Sequence, residues 1–117
     1  MARKDDLGKA GEDLAVRYLE RNGFRIIARN WRGTRGELDI IALEGDATVF
    51  VEVKTRSGLR FGDPLEAVTA AKLRRIRRLA GEWCAGNPGA VRIRLDVVGI
   101  VGGLRAPARI THVRGVS

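Results

Sequence analysis

Three charged residues lie inside two apolar segments, at positions where valine or isoleucine would be expected. Asp39 interrupts GELDIIALE, and Glu52 and Lys54 interrupt VFVEVKTR. Both segments alternate with the two-residue period of a β-strand, and Gly45-Asp46 between them is typical of a tight hairpin turn. Two acids and a lysine are also the residues from which a phosphodiester-cleaving centre is built. The sequence therefore predicts an antiparallel hairpin with a candidate catalytic group in its strands.

The turn also predicts the register of this hairpin. Pairing across the turn would align Glu44–Ala47, Leu43–Thr48, Ile41–Phe50, Asp39–Glu52 and Glu37–Lys54. Directly opposed residues have Cβ atoms only about 4.5–5.5 Å apart, so the like charges of Asp39 and Glu52 would destabilise the sheet. A divalent cation removes that penalty, because Mg²⁺ takes oxygen ligands and is commonly held by one or two carboxylates plus substrate phosphate. We therefore expect Mg²⁺ or Mn²⁺ to be the cofactor.

Further side chains can reach the same place. Lys54 follows Glu52 by two residues, so both point to one face of the strand. Glu37 shares the strand face of Asp39 and is either an auxiliary ligand or the partner of Lys54. Glu12 lies at the edge of a helical apolar stripe, so it can lean over the sheet and supply a third carboxylate. The alternative is structural: the acids face solvent on an edge hairpin, and Lys54 simply pairs with Glu37.

The elements that would position these residues can be placed along the chain. Residues 6–22 have apolar side chains at helical spacing and end at Asn22-Gly23. Asp63-Pro64-Leu65-Glu66 combines an N-cap with a proline and a capping glutamate, so a second helix is predicted from there to about Gly86. Strands are predicted at 24–30, in the two halves of the hairpin, at 91–97 and at 108–114. The order α-β-β-β-α-β-β favours one α/β domain over residues 1–117, with a mixed sheet flanked by helices.

The composition indicates a polyanionic partner. Lys and Arg number 22 against 14 Asp and Glu, for a net charge of +8. Most of the basic residues are arginine, whose planar guanidinium suits phosphate, although an arginine-rich composition can also affect solubility alone. No apolar run approaches the roughly 20 residues of a membrane span, and the first residues lack a secretory segment. We expect a soluble, cytoplasmic protein that binds nucleic acid, with DNA and RNA both open.

The basic residues best placed to contact phosphate form two groups. Arg74, Arg75 and Arg78 lie on the basic face of the second predicted helix, whereas Arg56 and Arg60 follow the strand that carries Glu52. Arginine contacts to phosphate supply affinity that does not depend on sequence and that weakens with salt. We expect all five to bind nucleic acid. The alternative for the helix is an ordinary solvated face.

The quoted segments and the element order resemble the PD-(D/E)XK nuclease superfamily. The resemblance is strongest to the YraN family, described as endonucleases and related to archaeal Holliday junction resolvases. The match covers most of the chain and is carried by GKAGEDLAVRYLERNG, ARNWRG, GELDII, VFVEVKTR, FGDPLEAV and RLDVVGI. It implies a restriction-endonuclease-like core and a catalytic set of Glu12, Asp39, Glu52 and Lys54. The implied metal ligands are Asp39, Glu52, Glu12 and the backbone carbonyl of Val53.

The resemblance further implies a Mg²⁺-dependent endodeoxyribonuclease, with branched or junction DNA as a candidate substrate. Related resolvases act as symmetric dimers, so a homodimer is a further expectation. Two other classes stay open: a catalytically silent nucleic-acid-binding module with the same fold, and a structural basic protein associated with RNA or the ribosome. The set Glu12, Asp39, Glu52 and Lys54 favours the nuclease, because a pure binding module has no need of opposed carboxylates.

Overall fold

The computed structural model of the chain contains one five-stranded sheet with two helices. It describes residues 4–58, 60, 62–102 and 107–116. The elements in chain order are α1 (Lys4–Arg21), β1 (Arg25–Gly33), β2 (Gly36–Glu44), β3 (Ala47–Arg56), a 3₁₀ turn (Pro64–Ala67), α2 (Ala70–Ala85), β4 (Arg92–Val101) and β5 (Arg109–Val113). The predicted order of helices and strands is confirmed. No helix in the described part of the chain has both the length and the apolar character needed to span a membrane.

The strands lie side by side in sequence order, from β1 to β5. β3 and β4 are parallel, with Phe50 beside Leu95, and the other neighbouring strands are antiparallel. Parallel neighbours need a crossover connection, and α2 supplies it. The predicted mixed α/β sheet is therefore confirmed. The ends of β3 and β4 lie together at the edge of the sheet where β2 begins.

Each helix covers one face of the sheet. The α1 face buries Ala15 and Leu19 of the helix against a set of strand residues: Ile40, Ala42, Val49, Val51, Val98 and Ile100. The α2 face buries Leu73, Ile76 and Leu79 against a second set: Leu38, Ile41, Phe50 and Leu95. Consecutive residues of a strand point to opposite faces, so the continuous apolar run of β3 fills both cores. The sheet is a central layer between two helices.

Helix α2 begins later than the sequence predicts. Asp63 acts as a cap, because its Oδ1 accepts a hydrogen bond from Leu65 N at 2.9 Å, but the turn that it starts is a 3₁₀ turn ending at Ala67. Thr69 then caps α2, and Gly86 ends it as predicted. The 3₁₀ turn packs on Gly99 of β4, where an added Cβ would come within 3.1 Å of Leu65. This packing keeps the 3₁₀ turn on β4, as an element separate from α2.

A buried aspartate lies in β4, where alternation alone predicts only a polar face. Asp96 is 1% exposed. Its carboxylate accepts hydrogen bonds from Arg94 Nε at 2.8 Å and Gly115 N at 3.1 Å, and lies 2.8 Å from His112 Nε2. Burial acts to raise the pKa of Asp96, but its hydrogen bonds with His112, Arg94 and Gly115 outweigh burial and lower the pKa to about 2. The charged carboxylate thus joins β4 to the chain around β5.

Candidate active site

The hairpin opens at the position of the predicted acids. Its paired residues run from Glu44–Ala47 at the turn to Ile40–Val51, so the predicted register is confirmed over this stretch. The predicted ladder pairs Asp39–Glu52 and Glu37–Lys54 lie beyond it and are wrong as backbone pairs. Instead, the Asp39 side chain takes the place of a backbone partner, and its Oδ2 accepts a hydrogen bond from Val53 N at 2.8 Å. Asp39 is therefore oriented by the strand that carries the other candidate residues.

A break in strand alternation explains why the ladder ends. Leu38 and Ile41 both pack on the α2 face, although residues three apart in a regular strand point to opposite faces. The neighbouring strand β1 has the same break, because Ala28 and Trp31 also pack on the α2 face. Between them, Asn30 has a positive φ of 51°. Both strands therefore bend at the place where the hairpin opens.

Asp39 and Glu52 are in contact although they are not ladder partners. Their carboxyl groups lie within hydrogen-bonding reach of each other. Burial raises the pKa of Glu52, and the hydrogen bond and negative charge of Asp39 raise it further, to about 8, against the opposing charges of Lys54 and Arg75. The metal-free pair therefore holds a proton more readily than two ordinary carboxyls do. A bound divalent cation would displace that proton.

Two lysines lie beside Glu52 on the α2 face. Burial lowers the pKa of Lys72, and the charge and hydrogen bond of the neighbouring Lys54 lower it further. Arg75, one turn along α2, also acts on Glu52 and Lys72. Sequence reasoning missed Lys72, because it places the first turn of α2 too early in the chain. The corrected start at Ala70 puts Lys72 in that first turn.

Glu12 approaches from the opposite face. Helix α1 comes close to β3 because position 11 is a glycine, and a Cβ there would overlap Thr55. Glu12 Oε1 accepts hydrogen bonds from Asn30 Nδ2 at 2.8 Å and from Arg29 Nη2 at 3.2 Å. These two partners are another part of the site that sequence reasoning missed. The segment ARNWRG does not predict these contacts, because Arg29 and Asn30 are consecutive and would point to opposite faces of a regular strand.

Glu37 has a different partner from the predicted one. Its Oε1 accepts a hydrogen bond from Arg32 Nη2 at 2.7 Å, in an ion pair that is exposed on both sides. Arg32 and Glu37 are cross-strand neighbours of β1 and β2. The predicted Lys54 partner is corrected to Arg32, because β2 pairs with β1 at this point after it has separated from β3.

A cleft of about 500 Å³ joins these groups at the end of the sheet. Its lining residues are Leu7, Gly8, Glu12, Asp39, Val53, Lys54, Thr55, Arg56, Ser57 and Gly58. Asp39 links the cleft to Glu52, which lies on the α2 side. No three His, Cys, Asp or Glu side chains of the described residues come together in a group that could hold a metal ion. Within that part of the chain, the acids form a contacting pair, with Glu12 separate from it.

The predicted nucleic-acid contacts lie in three places. Arg56 lines the cleft, and its Nε is buried without a hydrogen-bond partner among the described residues. Arg74, Arg75 and Arg78 are exposed on α2, with Arg75 nearest to Glu52. Arg60 is exposed, but Leu59 and Phe61 on either side of it lie outside the described residues. Arg56 and the arginines of α2 therefore lie on different sides of the pair formed by Asp39 and Glu52.

Comparison with known proteins shows to which family the chain belongs. A family model described as "Uncharacterised protein family UPF0102" matches residues 11–100, a range that contains Glu12, Asp39, Glu52 and Lys54. The chain belongs to UPF0102. A UPF0102 protein of Rhodococcus opacus is 55% identical and covers 97% of this chain and 98% of its own length. A UPF0102 protein of Mycolicibacterium vanbaalenii is 51% identical, over 96% of this chain and 93% of its own.

Proposed function

We propose that this UPF0102 protein is a metal-dependent endonuclease of the PD-(D/E)XK type that hydrolyses phosphodiester bonds in DNA. The contact between the Asp39 and Glu52 carboxyls at the open end of the hairpin carries the proposal. Two partly buried acids in contact lower stability unless a proton or a cation lies between them. A sheet optimised for stability alone would have apolar residues there. The resemblance of the surrounding segments to nucleases of this type points the same way.

The acid pair fits Mg²⁺ or Mn²⁺. Mg²⁺ is usually bound through one or two carboxylates and keeps several waters, so a two-acid group suits it better than a closed cage would. Asp39 and Glu52 would hold the ion together with the backbone carbonyl of Val53, and Glu12 would orient a water or help to hold a second ion. The ion would activate a water for attack on phosphorus and offset the charge on the phosphate.

The cationic side chains of the site would act on the phosphate itself. Lys54 would donate to the oxygen on which negative charge develops in the transition state, where a preorganised donor has its largest effect. Lys72 and Arg75 add positive charge from α2 on the same side. Arg56 lines the cleft, and its guanidinium would make the two-point contact with phosphate that is common for arginine.

The exposed arginines of α2 would supply general affinity for DNA. Replacing Arg74, Arg75 and Arg78 together by Gln is expected to weaken binding about tenfold or more at low salt. It should also lower the slope of log K against log salt by about 0.9 for each phosphate that the variant no longer neutralises. The measurement is a salt titration of binding to labelled duplex in EDTA.

A matched control removes the same charge from the other end of the sheet. Arg25, Arg92 and Arg114 lie near the hairpin turn, beside Leu43, Asp46 and Glu44 respectively. Their joint replacement by Gln should leave the salt slope close to that of the wild type. Equal losses of affinity in both triple variants would mean that net charge, and not the α2 surface, determines the affinity.

The proposed activity is tested by incubating the purified protein with four-way junctions, flaps and plain duplex, each with Mg²⁺, Mn²⁺ or EDTA. We expect cleavage that requires the metal and is faster on branched than on plain DNA. Asp39→Asn should abolish it, since the amide keeps the size of the side chain but loses its charge. Tight DNA binding without cleavage of any substrate would favour the silent binding module. Selective binding of RNA would favour the structural alternative.

A further inference from the structure

Asn30 has a backbone conformation that most residues avoid. Its φ of 51° is the one positive value for a non-glycine residue in the described ranges of the chain. The left-handed region is unfavourable for side chains with a Cβ, and asparagine is among the few that enter it. Such conformations persist where the surrounding structure imposes them, and they cluster at functional sites. The contacts of the Asn30 side chain indicate what this conformation achieves.

The Asn30 amide holds one oxygen of Glu12. Asn30 Nδ2 lies 2.8 Å from Glu12 Oε1, and Arg29 Nη2 and Nε lie 3.2 and 3.4 Å from the same atom. All the hydrogen bonds that Glu12 accepts from the described residues reach Oε1. The Glu12 side chain is 15% exposed and lines the cleft next to Asp39. One oxygen is thus held by residues of β1, and none of the described residues donates to the other.

The irregular backbone is what makes this double contact geometrically possible. Arg29 and Asn30 are consecutive, and in a regular strand consecutive side chains point to opposite faces. Here both reach Glu12 on the α1 face, while Ala28 and Trp31 pack on the α2 face. The bend at Asn30 also accompanies the bend at Leu38 to Ile41, which separates β2 from β3. One local distortion therefore orients Glu12 beside the opening that exposes Asp39.

We propose that Asn30 is a positioning residue, whose amide orients Glu12 so that its second oxygen serves the cleft. The inference deepens and rests on the proposed metal centre, in which Glu12 orients a water or helps to hold a second ion. Arg29 is the less specific of the two partners, because it also forms an ion pair with Asp13 at 2.7 Å that ties β1 to α1. Asn30 brings no charge, so its replacement tests orientation alone.

Asn30→Gly separates positioning from stability. Glycine adopts a positive φ without strain, so the variant should have a melting temperature equal to or above that of the wild type. It lacks the amide, so the affinity of the full-length protein for Mn²⁺, measured by calorimetry without DNA, should fall about tenfold. In a Glu12→Gln background, which has already lost the carboxylate that Asn30 orients, Asn30→Gly should change the Mn²⁺ affinity no further. Asn22→Gly, which removes an amide bonded to Tyr18 O at 2.8 Å, is the control and should leave the affinity unchanged.

Two results would overturn the inference while leaving the metal centre in place. One is an unchanged Mn²⁺ affinity in Asn30→Gly. The other is an equal loss of affinity in the wild-type and Glu12→Gln backgrounds, which would show that Asn30 acts by another route. Wild-type protein that binds no Mn²⁺ would overturn the proposed metal centre itself, together with the role of Asn30 in it.

Discussion

Replacement of Lys54 by alanine is expected to slow DNA cleavage at least about 100-fold while changing the affinity for DNA by less than about threefold. Lys54 lies beside Glu52 and lines the cleft, so in the proposed reaction it would contact the phosphate that is cleaved. An interaction made mainly in the transition state affects turnover more than binding. Arg74 and Arg78, which are exposed on α2, would contact the bound DNA at every stage, so their replacement should show the opposite pattern.

The measurement is single-turnover cleavage with Mg²⁺, beside equilibrium binding in EDTA. Lys9→Ala is a matched control, because Lys9 is an exposed lysine on α1 and its replacement removes the same charge. It should cleave close to the wild-type rate. The melting temperature of Lys54→Ala checks that a loss of cleavage is not a loss of structure. Cleavage by Lys54→Ala at the wild-type rate would indicate a contaminating nuclease or a different active site.

Replacement of Asp96 by asparagine should lower the free energy of unfolding by about 3–5 kcal/mol, which is typical when one partner of a buried ion pair is removed. The Asp96 side chain has 0% exposure and lies between Arg94 and His112, and His112 Nδ1 is 2.9 Å from Tyr18 Oη. The amide cannot accept the bidentate contact of Arg94, whose guanidinium would keep only the partly exposed Glu44 as a counter-charge.

Urea unfolding measures this change in stability, with Asp46→Asn as the control. Asp46 also pairs with an arginine, Arg92, but the two side chains are 79% and 72% exposed. Exposed pairs contribute less than about 1 kcal/mol, so Asp46→Asn should unfold nearly as the wild type does. Equal decreases in the two variants would mean that the burial of Asp96 does not determine its contribution.

The pKa of Asp96 adds a test by pH. Its pKa is about 2 in the folded chain against an ordinary value of 3.8. Because the pKa is lowered, the folded state gains stability once the carboxylate is charged, at pH values above about 3.8, and loses it as the pH falls towards 2. The difference amounts to roughly 2–3 kcal/mol. Asp96→Asn should flatten this part of the stability curve, and parallel curves for the two proteins would contradict the assignment.

The features that the sequence determined by itself are those that depend on short stretches of chain. The hairpin is the clearest case, because Gly45-Asp46 specifies the turn and period-two alternation specifies the pairs down to Ile40–Val51. The first helix, the end of α2 at Gly86 and the order of strands follow from similar local signals. Local patterns suffice there because a turn, a cap or an amphipathic face depends on neighbouring residues. The metal, the DNA contacts, the cleavage activity, the cytoplasmic location and the homodimer stay predictions.

Only the tertiary structure decided which charged side chains contact residues of distant segments. In the sequence, Asp96 is one of the polar residues that alternate with apolar ones along β4. In the structure, residues of β5 and of the segment that follows β5 bury its side chain. In the sequence, Lys72 is one of many cationic residues of a helix. In the structure, the 3₁₀ turn packs on β4, α2 begins after it, and Lys72 lies beside Lys54. The bends at Asn30 and Asp39 place Asn30 on Glu12 and Asp39 on Val53. Each depends on packing between distant segments, which the period of a single strand or helix does not contain.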